Sequence, residues 1–113
     1  MKILITIYGD DIAPRFDQTR EALIAQADGG SLIAEPRIIL LPGTSGEELC
    51  GHIIKENMSH VVCGGIEDVH FQYLAWKKIK VIDGVIGPYQ EALDALLADR
   101  LQPWSVLPGA VHS

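Results

Sequence analysis

Cysteine is scarce in this 113-residue chain, which has two, Cys50 and Cys63. Two thiols cannot build the disulfide framework that staples small secreted domains. Their spacing makes no C-x-x-C pair, which argues against a thioredoxin-like redox motif and a structural zinc site. Positive charge is also short: nine Lys and Arg stand against 15 Asp and Glu, a net charge of −6. An acidic chain repels polyphosphate, so nucleic acid is not expected as a partner, and basic residues cluster only at Lys77-Lys78 with Lys80. Long hydrophobic runs are missing as well. No stretch approaches the roughly 20 apolar residues of a membrane helix, and Ile3 to Ile7 after Lys2 is too short for a signal-peptide core. The expectation is a cytoplasmic protein with no membrane partner. Neither G-x-G-x-x-G nor G-x-x-x-x-G-K-[ST] occurs, so no nucleotide-binding fingerprint is present.

What remains is an ordinary globular composition, 48% hydrophobic and 21% charged, in a length that suits one core. The expected organisation is a single domain over residues 1–100 and an irregular tail over 101–113, where Pro103 and Pro108 interrupt regular structure. Lys2 to Tyr8 (KILITIY) reads as a central strand covered on both faces. Gly9-Asp10-Asp11 ends it, and Pro14 disfavours a helix in the loop from Ile12 to Thr19. Glu21 to Ala27 has helical propensity, yet Asp28-Gly29-Gly30 and an extended stretch follow at once. A hairpin of Ala22–Ala27 with Leu32–Leu40 is the reading adopted, with a short helix ending at Gly29 as the alternative.

Thr44-x-x-Glu47 matches a capping box opening a helix to about Asn57, with Leu49, Cys50, Ile53 and Ile54 on one face. From His60 to Pro88 the pattern is strand, helix, strand. Val61-Val62-Cys63 stops at Gly64-Gly65, and Glu67-Asp68 open a helix to about Lys78 that aligns Val69, Tyr73 and Trp76, with Leu74 beside them. Lys80 to Ile82 is the next strand. A last helix follows Gly87-Pro88, its buried stripe being Tyr89, Ala92, Leu93, Leu96 and Leu97. In the tail, Trp104, Val106 and Leu107 are expected to pack on the body or on a partner.

The order β-β-β-α-β-α-β-α predicts an α/β fold: a ribonuclease H-like motif with a five-stranded mixed sheet, order 3-2-1-4-5, and three helices on its faces. In that order the strands at Ile3 and Val61 are parallel neighbours. The chain then leaves the first strand, the fourth and the strand at Ile82 along one sheet edge, which is where α/β proteins place ligands.

Ala13-Pro14-Arg15-Phe16-Asp17 after the first strand and Val62-Cys63-Gly64-Gly65-Ile66 after the fourth, with Tyr73-Leu74-Ala75-Trp76, Val81 and Gly87, resemble the dinitrogenase iron–molybdenum cofactor biosynthesis family (NifX/NifY-like) over residues 1–98. The resemblance implies a ribonuclease H-like fold and a nitrogen-fixation accessory role. It implies a protein that binds, carries or inserts an iron–sulfur or iron–molybdenum type cluster, with the cluster or cluster-assembly proteins as partners and no catalysis. Cluster-binding members often carry His where this chain has Arg15 and Gly where it has Asp17. Arg15 stays protonated and cannot ligate iron.

The candidate ligand-binding residues are Arg15, Phe16, Asp17, Gly64 and Gly65, and the candidate metal ligands are Cys63 and His70. Each has a plain structural alternative. Gly64-Gly65 offer amide donors to a ligand, or supply positive φ in a tight turn. Cys63 is a soft ligand or a small buried hydrophobe, and Cys50 is a core residue. Arg15 attracts an anion, or fixes its loop through Asp17. His60 and Cys63 point to opposite faces of their strand and cannot share a metal; His52 is a surface residue and His112 a tail residue. Two other functions stay open: a metal-free module for a small anion or a protein, and a metal-dependent hydrolase using Asp10, Asp11, Asp17 and Asp68. Hydrolases of the ribonuclease H type carry an acidic residue within the first strand, where this chain has Thr6.

Overall fold

A strand covered on both faces must find neighbours on both edges. In the computed structural model, which describes residues 1–43 and 45–110, β1 (Lys2–Tyr8) does so, pairing antiparallel with β3 (Glu21–Asp28) and parallel with β6 (His60–Val62). β7 (Lys80–Ile82) continues the parallel side, and β4 (Ser31–Leu32) lies outside β3, giving the order β4-β3-β1-β6-β7. Two further strands leave this path: β2 (Asp11–Ile12) folds back on β1, and β5 (Arg37–Leu40) pairs with β3. Among the described residues the sheet thus has seven strands rather than the expected five. One cause is Pro36, which has no N–H for the ladder and falls in the break that splits the expected third strand into β4 and β5. The other is that the loop after β1 begins with a short strand of its own.

The Glu21–Leu40 region is a hairpin and not a helix. Gly29 and Gly30 both adopt positive φ, +60° and +82°, as a type I′ turn requires. Helices cover both faces of the sheet. Ile3, Ile5 and Ile7 of β1 pack with Leu23, Val62 and the Ala92-Leu93-Leu96 stripe of α3 (Tyr89–Leu97), as the helical spacing of that stripe predicts. Leu4 packs on the other face with Ile24, Val61, Cys63, the Leu49-Cys50-Ile53 face of α1 (Gly46–Lys55) and Leu74 of α2 (Asp68–Trp76). Ser45 caps α1, its hydroxyl accepting from the Glu48 N–H at 3.3 Å. The expected cap, Thr44, lies outside the described residues, as does His112.

α2 departs from its sequence pattern. Leu74 is its buried residue, while Val69, Tyr73 and Trp76 are 64%, 41% and 73% exposed. A nine-residue helix packed over the β6–β7 side of the sheet turns one narrow face inward. The aligned apolar stripe lies on the outer face, where the Lys77 ammonium sits 4.7 Å from the Trp76 ring centre. Residues 101–110 dock on the body. Leu101, Leu107 and Ala110 are buried, the Trp104 N–H donates to Asp83 at 2.9 Å, and Ile86 exchanges backbone bonds with Ser105 and Leu107. Among the described residues, no helix is long and apolar enough to cross a membrane.

All three helices stop in the same way. Asn57, Lys78 and Asp99 take left-handed φ of +57°, +65° and +57°. The next N–H reaches back to Ile53, Leu74 and Ala95 respectively, closing a Schellman motif. An L-residue in this region costs about 1–2 kcal/mol, part of which glycine returns as backbone entropy. Lys78→Gly is therefore expected to raise stability by about 0.5–1 kcal/mol, seen as a higher denaturant midpoint at unchanged slope.

Candidate functional site

The ends of β1, β6 and β7 meet at one sheet edge, and the loop after β1 is laid across it by backbone bonds. Ile12 N–H donates to Gly87 O and Ala13 N–H to Thr6 O, both at 2.9 Å. The decisive contact comes next: Phe16 N–H donates to Gly65 O and Gly65 N–H to Pro14 O, each at 2.8 Å. Gly65 therefore spends both its backbone groups on the loop and has no amide left for a ligand. Gly64 is buried under the same segment. A Cβ there would come within 2.5 Å of Ala13 O and 2.8 Å of Pro14 O. Neither glycine is among the residues with positive φ. The pair is needed because one backbone lies on another.

That placement decides what the loop side chains do. Phe16 is buried in the same cluster as Cys63, with its ring centre 5.9 Å from that of His70. Phe16 is thus a wedge between loop and core. Arg15 points outward and its fork closes on Asp17, Nε to Oδ1 at 3.2 Å and Nη2 to Oδ2 at 3.1 Å. The Thr19 hydroxyl donates to Arg15 O at 2.9 Å, tightening the 3-10 turn Phe16–Gln18. Beside this turn is a cleft of ≈ 190 Å³ lined by Tyr8, Pro14, Arg15, Gln18, Thr19 and Arg20.

Cys63 is fully buried, and burial, then the Asp83 carboxylate, pushes its thiol far above the ordinary range. Burial, then Glu47, raises the Cys50 thiol to about 11. His70 is partly exposed on α2 and faces the start of α1, where a Cβ on Gly46 would overlap its ring. Among the described residues, no three His, Cys, Asp or Glu side chains gather into a group that could hold a metal ion. Asp10, Asp11, Asp17 and Asp68 are thus not drawn together into a two-metal centre. Thr6 is fully buried, its hydroxyl oxygen without a hydrogen-bond partner.

No family model matches the sequence, and no curated protein matches it. Solved structures do. PH0822 superposes with a TM-score of 0.82 at 19% identity, over 91% of this chain and 94% of that one. MJ0327 of Methanocaldococcus jannaschii, provisionally described as a dinitrogenase, gives 0.73 at 21%, over 90% and 92%. The apo form of the orange protein of Desulfovibrio gigas gives 0.72 at 18%, over 98% and 96%. The chain shares the fold of these proteins. The dinitrogenase description among them is consistent with the family resemblance carried by Ala13–Asp17 and Val62–Ile66.

Cleft residues missed by sequence reasoning include Tyr8, Gln18, Thr19 and Arg20. The signal for two of them is positional. Arg20 stands one step beyond the Ile7–Glu21 pair of the β1–β3 ladder, opposite Tyr8, so the hairpin register brings them together.

Two outcomes follow from these contacts. Gly64→Ala must push Ala13 and Pro14 backbone away and is expected to cost about 1–3 kcal/mol, as overpacking does. Gly65→Ala, whose Cβ would meet Pro14 O at 3.3 Å, costs less in the same denaturation measurement. Ellman-type thiol titration at neutral pH is expected to find both cysteines unreactive in the native chain and reactive at the unfolding rate, since each is buried with its thiolate disfavoured.

Proposed function

We propose that this chain is a non-enzymatic accessory protein that binds an anionic metal–sulfur cargo, of iron–sulfur or iron–molybdenum type, in the cleft beside Arg15 and Arg20. In this reading the mixed sheet is a ribonuclease H-like motif, extended by β2 and by the division of its third strand. The supporting observation is two exposed arginines lining one small cleft at the strand-end edge of a chain with net charge −6. Asp17 occupies one side of the Arg15 fork and holds the guanidinium in place, leaving Nη1 for the cargo. Among the described residues Arg20 makes no ion pair. The shared fold with a protein described as a dinitrogenase supports the cargo class.

In this reading the cargo is held by charge and hydrogen bonds and not by protein thiolate, because Cys63 is fully buried in the core. This separates the reading from one in which Cys63 and His70 ligate the metal. The test is equilibrium binding of a preformed thiometallate dianion under anaerobic conditions. Arg15→Ala and Arg20→Ala are each expected to weaken binding about tenfold or more, the value of a charge-assisted hydrogen bond. Cys63→Ala is expected to leave binding unchanged, and affinity is expected to fall as salt rises. Binding that is lost in Cys63→Ala and indifferent to both arginines would sink the proposal.

A further inference from the structure

The two edges of the sheet are treated differently. At the β7 edge Lys80 is exposed, and the Trp104–Leu107 segment takes up the backbone groups of Asp83 and Ile86. These are ordinary devices for keeping an edge strand from pairing with another chain. The β5 edge carries Arg37 and lies between Pro36 and Pro42, but among the described residues no segment covers it. β5 pairs only with β3, and it exposes Ile38 (51%) and Leu40 (81%).

The hydrogen-bond phase of β5 says which groups are open. Leu41 N–H donates inward to Arg20 O at 2.8 Å. Backbone groups alternate sides along a strand, so Ile39 also faces β3, while the N–H and C=O of Ile38 and Leu40 face outward. We infer that this edge pairs with the β5 edge of a second copy of the chain, antiparallel about a two-fold axis through Ile39. In that register Ile38 of each copy lies opposite Leu40 of the other. All the outward backbone groups of both residues are satisfied, and the exposed apolar side chains meet on one face. A register centred on Ile38 fails, because it sets each Leu40 carbonyl opposite Pro36, which has no N–H. In the Ile39 register Pro36 instead faces Pro42 and ends the ladder cleanly.

Charge fits the same arrangement. Arg37 of one copy arrives opposite Leu41 of the other, on the face that carries α1. There Leu41 and Glu48 line a groove of ≈ 430 Å³ that also takes in His52 and Lys55, with Glu48 as its one carboxylate. The proposed register would bring Arg37 of each copy toward Glu48 of the other, one pair on each side of the axis. Two β5 edges related by the axis satisfy each other, so the proposed assembly closes at two copies.

Sedimentation equilibrium of the full chain at micromolar concentration is expected to give twice the chain mass of 12.3 kDa. Ile38→Lys and Leu40→Lys, both at exposed positions, are expected to give one chain mass with an unchanged circular dichroism spectrum. Arg37→Glu is expected to weaken association about tenfold, and adding Glu48→Arg to restore it. Cross-strand positions outside the hydrogen-bonded pairs bring Cα atoms to about 4.5 Å, within disulfide reach. Ile39→Cys is therefore expected to cross-link the dimer on mild oxidation, and Ile38→Cys not. A single-chain mass for the wild type, a dimer that survives both lysine substitutions, or cross-linking at position 38 in place of 39 overturns the inference.

Discussion

Two backbone hydrogen bonds between Gly65 and the Pro14–Phe16 segment hold the functional edge together. They join a loop leaving β1 to the turn leaving β6, and the rest of the edge follows from that join. Gly64 has to lack a side chain because the loop carbonyls lie on it. Phe16 is driven into the core, in the cluster that also holds Cys63. Arg15, the neighbour of Phe16, is turned outward toward Asp17. A buried backbone group must find a partner, and here the partnering itself builds the cleft.

Much of the fold could be read from the residues. The unbroken apolar run of β1 marks a strand buried on both faces, the paired glycines at 29 and 30 mark the hairpin, and the α3 spacing marks its inward face. The failures have separate physical causes. Periodicity shows which residues of an element share a face, but not whether another layer covers that face. Val69, Tyr73 and Trp76 are aligned and left uncovered for this reason. Pro36 divides a strand that composition alone presents as continuous. At the site, Arg15 and Asp17 were legible because they are adjacent in sequence. Arg20 and Tyr8 were not, because only the pairing of β1 with β3 brings them together.

The electrostatics are uneven in a useful way. A chain with net charge −6 presents two exposed arginines at one small cleft, Arg15 and Arg20. At physiological ionic strength fields decay over about 8 Å. The repulsion from distant carboxylates is therefore largely screened there, while Arg15 and Arg20 act at contact distance.

β1 is the first strand of the chain and the middle strand of the sheet. During synthesis β1, β3 and β5 emerge as a meander, with one flank of β1 bare and no helix on either face. The parallel partner β6 arrives only after α1 has been made, and the clasp at Gly65 later still. A nascent chain at this stage is a sticky, half-built sheet, the state in which long-range β topologies aggregate. The segment that protects the first strand is thus also the one whose following turn, at Gly65, holds the cleft loop in place.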